Sequence, residues 1–196
     1  VDRQQEAIVT TAESCLGQTE IKGNQGFISK WFDKAMRAVG FRNGWAWCNI
    51  FIEYVYKEAY PNRPELLKSI TPSTYRSFNA LMIDPNYEFS MKPKVGDMVY
   101  WFKYKNGKHY KRQGHCGIVV ALPTDGYSYK FKYIDTKGNE KEALVGGIVS
   151  KKSILSIDGN TNFKGAREGR IVSPKERKLN SKAEDSLRYM GCFRVK

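Results

Sequence analysis

Apolar residues recur at helical spacing in the first third of the chain. Over residues 3–16, Ala7, Ile8, Ala12, Cys15 and Leu16 fall near one face and Gly17 closes the run. Residues 27–39 repeat the pattern with Phe27, Ile28, Trp31, Ala35, Met36 and Val39, ended by Gly40. A third helix is expected from about Trp47 to Tyr60, with Ile50, Phe51, Tyr54 and Val55 inward, before Pro61 and Pro64 stop it. Thr71-Pro72-Ser73 is a start signal for a short helix around Thr74–Leu81. From Lys92 the texture changes. Met98–Phe102 is strongly β-prone, and Asn106-Gly107 predicts a hairpin returning through His109-Tyr110. Ile118–Leu122, Tyr127–Ile134, Leu144–Val149, Ser153–Ile157 and Met190–Val195 are further strands, with a turn at Lys137-Gly138-Asn139. Residues 164–188 are polar and basic and read as a long surface loop with some helix. Helices first and strands afterwards is the order of an α+β protein.

The 196 residues, 41% of them hydrophobic, suffice for one domain with a sizeable core, and neither repeat nor low-complexity linker divides 1–196. No apolar run approaches the roughly 20 residues of a membrane-spanning helix. The opening Asp2-Arg3-Gln4-Gln5 is no secretion signal, and a removed leader or a trimmed chain would each explain it. Lys and Arg total 33 against 20 Asp and Glu, a net charge of +13 that favours anionic polymers. The basic clusters Lys103–Lys111, Lys164–Arg170 and Lys175–Lys182 are interleaved with Gly, Asn, Ser and Glu rather than set on one stripe. No nucleic-acid-binding motif accompanies them, so nucleic acid is disfavoured. Cys15, Cys48, Cys116 and Cys192 lack metal-ligand spacing, and with two histidines any hydrolytic chemistry is expected to use a side-chain nucleophile and no metal.

Trp45-Ala46-Trp47-Cys48 sets a thiol at the expected start of the third helix. Unpaired N–H groups and the positive end of the helix dipole favour thiolate there, and the backbone N–H of Cys48 is placed to meet a developing oxyanion. The competing reading is a small buried core cysteine. Gly114-His115-Cys116-Gly117 opens a strand whose alternation puts His115, Gly117 and Val119 on one face and Cys116 on the core side. His115 is the candidate base, and His109 lies in an exposed, Lys-rich hairpin. Asp158-Gly159-Asn160 ends another strand, and alternation gives Asp158 and Asn160 one face, so either is placed to orient the imidazole. Trp45, Trp47, Trp101 and Tyr104, with Tyr100 and Tyr110, flank these motifs as candidate substrate contacts, with Trp47 and Tyr100 expected to be buried. Glu20 and Glu53 are candidate contacts for a substrate amine, though an ordinary surface role is the plainer reading of each.

Taken together, Gly17-Gln18-Thr19-Glu20, Trp-Cys at a helix start, Pro93-Lys94-Val95-Gly96-Asp97, Gly-His-x-Gly-Ile-Val, Gly-Asn-x-Asn at 159–162 and Gly191-Cys192-Phe193-Arg194 resemble the CHAP family. The motifs concentrate in 44–60, 93–122 and 153–162. The resemblance implies a papain-like, NlpC/P60-related fold with N-terminal helices packed on a central antiparallel sheet. It implies Cys48 as nucleophile, His115 as base, and Asp158 where many relatives carry Glu, with Asn160 a further polar member. It also implies a monomeric peptidoglycan hydrolase without cofactor, cutting stem or bridge peptides or the muramic acid–L-alanine bond. Such an enzyme is expected to be secreted, periplasmic or phage-delivered, with anionic envelope polymers as further partners. Two other readings are an amidase effector used between bacteria, with an immunity partner, and a non-catalytic basic module binding cell wall or nucleic acid.

Overall fold

The computed structural model describes residues 3–161, 169–182 and 187–196, apart from the side chains of Tyr110, Lys111 and Arg112. Four α-helices come first: α1 (Arg3–Ser14), α2 (Lys30–Ala38), α3 (Cys48–Ala59) and α4 (Thr74–Ile83). Eight strands follow: β1 (Tyr87–Ser90), β2 (Met98–Lys105), β3 (Lys108–Ala121), β4 (Gly126–Ile134), β5 (Glu140–Ile148), β6 (Ser153–Thr161), β7 (Ile171–Lys178) and β8 (Leu187–Val195). Six of them form an antiparallel sheet in the order β1-β8-β2-β3-β6-β7, while β4 and β5 pair only with each other. The protein is α+β.

Strand alternation divides the core in two. Met98, Tyr100, Cys116, Ile118, Ile157 and Phe193 point from the sheet to the helices, where Ile50, Phe51, Val55 and Tyr56 of α3 meet them. Val99, Trp101, Val119, Ile154, Tyr189 and Cys192 form a smaller cluster on the opposite face. Helix α3 is the central post: seven of its residues are buried, and Trp47 just before it packs edge-on against Phe27 at 4.9 Å between ring centroids.

The strand ends and caps that carry local chemistry fall where the sequence places them. Asn106 and Gly107 take φ of 50° and 72°, the left-handed pair that a two-residue hairpin turn requires. The Ser73 side chain accepts from the backbone N–H of Arg76 and caps α4. Three expectations change. Helix α2 starts at Lys30 rather than 27, because Phe27 pairs with Glu20 in a short antiparallel bridge and Ser29 takes the capping position. After α3 the chain does not simply stop at Pro64 but enters a 3₁₀ turn over Pro64–Ser69 with proline at its first position. The segment expected to be a surface loop contains β7, an edge strand. Its Ile171, Val172 and Ser173 are buried, and its outer edge is bridged by residues 17–20 only as far as Val172, which leaves Pro174 on the open stretch of that edge. The remaining basic stretch 164–168, and Asn162, lie outside the described residues.

The Pro93–Asp97 segment earns its place structurally. Gly96 donates to the Val119 carbonyl at 2.8 Å, Val119 donates back to the Asp97 carbonyl at 3.0 Å, and Tyr56 of α3 donates to the Gly96 carbonyl at 3.0 Å. The buried Asp97 carboxylate accepts from the Lys94 N–H and from Arg194 of β8, both at 2.8 Å. The segment therefore ties α3, β3 and β8 together. Asp97→Ala should leave Arg194 facing an empty, largely buried position and cost about 3 kcal/mol. For a chain of this size that is a fall of roughly 6–12 °C in Tm by calorimetry, and an unchanged Tm would contradict the assignment.

Candidate active site

Cys48 is the first residue of α3 and only 5% exposed. Trp47 at the cap position offers no side-chain acceptor, so the first N–H groups of the helix remain directed at the thiol's surroundings. Trp47 is itself fixed from behind: its ring N–H donates to Glu20 Oε2 at 2.6 Å. That bond takes Glu20 out of the surface role expected of it, since Glu20 is 4% exposed. Close packing also explains Gly159. A Cβ there would sit 2.7 Å from Phe51 Cβ and 2.8 Å from the Trp47 ring, so only glycine lets β6 approach α3 this closely.

His115 on β3 and Asp158 on β6 meet across the sheet, with Nε2 and Oδ2 2.9 Å apart. An ionised carboxylate only accepts, so Nε2 carries the proton and Nδ1 is left for the thiol. Gly117, two residues on, makes this pairing possible, because a Cβ at that position would lie 1.9 Å from Asp158 Oδ1. The Asp158 side chain is wholly buried. Burial pushes its carboxyl up, but the neighbouring Arg177 and His115 overcome that and hold it down at about 2. His115 is pushed down by burial and by Arg177, yet Asp158 and Cys48 outweigh both and raise it above its ordinary value.

The Cys48 thiol lies close enough to His115 and to Cys116 for each to act on its ionisation. Cys116 in turn donates to Asn49 Oδ1 at 3.3 Å, an oxygen that also accepts from Tyr100 at 2.9 Å. The Asn49 amide nitrogen donates to Ser77 Oγ at 2.6 Å and to the Thr71 carbonyl, which fixes the group. Cys48 is held well below the usual thiol range, first by the neighbouring Cys116 side chain, then by the nearness and charge of His115; burial and Asp158 oppose this. Cys116 moves the other way. Burial and the adjoining Cys48 keep its proton on, so one of the two thiols ionises readily and the other stays protonated. Cys116 thus faces the core as expected and also touches the nucleophile candidate. All four cysteines are free thiols, and Cys15 and Cys192 are both pushed up by burial to about 12.

Asn160 does not join this group. The β6–β7 register shifts between Asp158 and Thr161, and Asn160 takes a left-handed φ of 54°. The alternation that would give it the face of Asp158 is broken there, and Asp158 alone bonds the imidazole among the described residues. The aromatic candidates separate by burial. Trp47 and Trp101 offer no open face, and the Trp101 ring N–H is spent on the Lys178 carbonyl at 3.1 Å. Trp45 is 39% exposed beside Arg42, and half-buried Tyr104 stacks under Arg188, whose guanidinium carbon lies 3.4 Å from the ring centroid. His109 is exposed as expected. Glu53 is half-buried, pushed up by that burial to about 7.

Sequence reasoning missed Arg177. Its Nε and one terminal nitrogen donate to Asp158 Oδ2 at 2.9 and 2.6 Å, and its guanidinium lies 5.5 Å from the Trp101 ring centroid. The only signal was its place in the basic run 175–182, which reads as solvated surface until β7 is known to be a strand. No three His, Cys, Asp or Glu side chains gather in a metal-binding cluster among the described residues. Comparison with protein-family models, curated proteins and solved structures found no match. The chemistry therefore has to be read from these side chains.

Because Asp158 is held below its unfolded value, its ionisation stabilises the fold above about pH 4, and that contribution fades as the pH falls from about 4 to about 2. The stability difference between the wild type and Asp158→Asn should therefore shrink by about 2 kcal/mol across that range in urea titrations. A difference that stays constant with pH would contradict an ionised Asp158.

Proposed function

We propose that the chain is a cysteine-dependent amidase or peptidase of CHAP-like, papain-like type that cuts amide bonds in bacterial peptidoglycan. The observation that carries this reading is the His115–Asp158 hydrogen bond set beside the Cys48 thiol, which sits at a helix start with no side-chain cap. A lowered thiol beside a raised imidazole is a thiolate–imidazolium pair ready for acyl transfer. In the proposed reaction the Cys48 sulfur attacks the scissile carbonyl carbon while the first N–H groups of α3 stabilise the developing oxyanion. His115 gives its proton to the departing amine and a thioester remains on Cys48. Water, deprotonated by His115, then attacks the thioester and releases the carboxylate product. Asp158 keeps the imidazole oriented throughout.

The substrate class comes from the motif resemblance, and charge supports it: +13 would concentrate the protein on an anionic envelope. No described helix is long and apolar enough to cross a membrane. Among the candidate aromatics whose side chains are described, the exposed Trp45 and the stacked Tyr104–Arg188 pair are left to contact glycan or peptide.

Purified protein incubated with defined peptidoglycan should release fragments that mass spectrometry assigns to one amide bond. Cys48→Ala should reduce that release by at least about a thousandfold while circular dichroism and Tm stay close to wild type. Full release by a folded Cys48→Ala protein would end the cysteine mechanism, and intact peptidoglycan with wild-type protein would end the assignment of substrate.

A further inference from the structure

Asp158 Oδ2 carries an unusual load. It accepts from His115 Nε2 at 2.9 Å and from two nitrogens of Arg177 at 2.9 and 2.6 Å, while Oδ1 has no hydrogen-bond partner among the described residues. Two cationic groups thus compete for one oxygen of a carboxylate whose other oxygen is pressed towards Gly117. Arg177 comes from β7, on the far side of β6 from His115, and its guanidinium lies over Trp101 of β2. Its side chain is 16% exposed, which makes it a member of the fold rather than part of a wall-binding surface.

We propose that Arg177 is a positioning residue of this site: its two-nitrogen grip on Asp158 fixes the orienting carboxylate and supplies the positive charge that lets His115 and Cys48 form an ion pair inside the protein. The proposal rests on the cysteine mechanism above and adds a residue to it.

Charge counting gives the reason. The groups facing His115 are Cys48 from α3, Cys116 beside it on β3, Asp158 from β6, and Arg177 with Lys175 near Asp158 on β7; the facing residue on β2 is the neutral Trp101. With Arg177 present, Asp158 and Arg177 form one neutral pair and Cys48 and His115 form a second. Without it, thiolate, imidazolium and carboxylate leave a buried excess of one negative charge. That excess opposes a second anion at Cys48 and strengthens the hold of Asp158 on the His115 proton. Both ionisations should therefore move to higher pH. Lysine at this position keeps the charge but cannot reproduce the fork.

The test is the pH dependence of amide cleavage together with His115 titration by NMR, where only two imidazoles contribute. In Arg177→Met, both limbs of the pH profile and the His115 midpoint should move up by about one unit. Arg177→Lys should restore most of the shift. Should the Met variant fail to fold, Arg177→Gln, which keeps one amide donor without charge, should show the same upward movement. A folded variant that loses rate with both limbs and the His115 midpoint unmoved would overturn the proposal. The NMR readout needs no substrate. A midpoint that moves as expected supports the role of Arg177 even if peptidoglycan proves to be uncut, an outcome that would count against the substrate alone.

Discussion

A buried carboxylate organises this protein. Asp158 has no exposed surface, and an ion so placed is sustained only when other groups replace the water it has lost. Three N–H groups from two side chains do so, one imidazole from β3 and one guanidinium from β7, converging on the oxygen of a residue from β6 between them. The same contacts that satisfy the charge hold three neighbouring strands in register. Local glycines follow from it: Gly117 makes room for the carboxylate, and Gly159, the next residue after it, lets β6 press against α3.

Placing that strand against α3 brings the sulfur of Cys48 to the imidazole, so the requirements of folding and of the proposed chemistry coincide. Trp47 is bonded to Glu20 on one side and packed on Phe27 on another, which fixes the helix start. Asn49, whose side-chain oxygen also accepts from Tyr100, holds the second, protonated thiol of Cys116 next to the first. In a buried setting such bonds count for more than in water, because no solvent competes for them. Each also makes the centre sensitive to substitution well behind the sulfur itself.

Much of the frame was legible because local chemistry decides it. Helical spacing located α1 and α3, the start signal ending at Ser73 located α4, the Asn106-Gly107 turn marked a boundary, and alternation put Cys116 and His115 on opposite faces of β3. Where the reading failed, contacts distant in sequence had overridden local character. Strand β7 looks like solvated basic chain, and only pairing with β6 turns Arg177 inward to a carboxylate 19 positions earlier. Asn160 was given the face of Asp158 by a period of two, but a left-handed residue and a register shift ended that period. Glu20 was read as surface because nothing near it in sequence shows that the indole of Trp47, 27 positions away, would take its carboxylate.

The account turns on one physical state, a thiolate at Cys48 near neutral pH. It is read most directly by following thiolate absorbance in the ultraviolet across a pH titration, comparing wild type with Cys48→Ser. One of the four thiols should ionise well below the ordinary value of about 8.5, and the serine variant should lose that step and no other. Four thiols that all ionise at or above that value, with no low step to lose, would contradict the account.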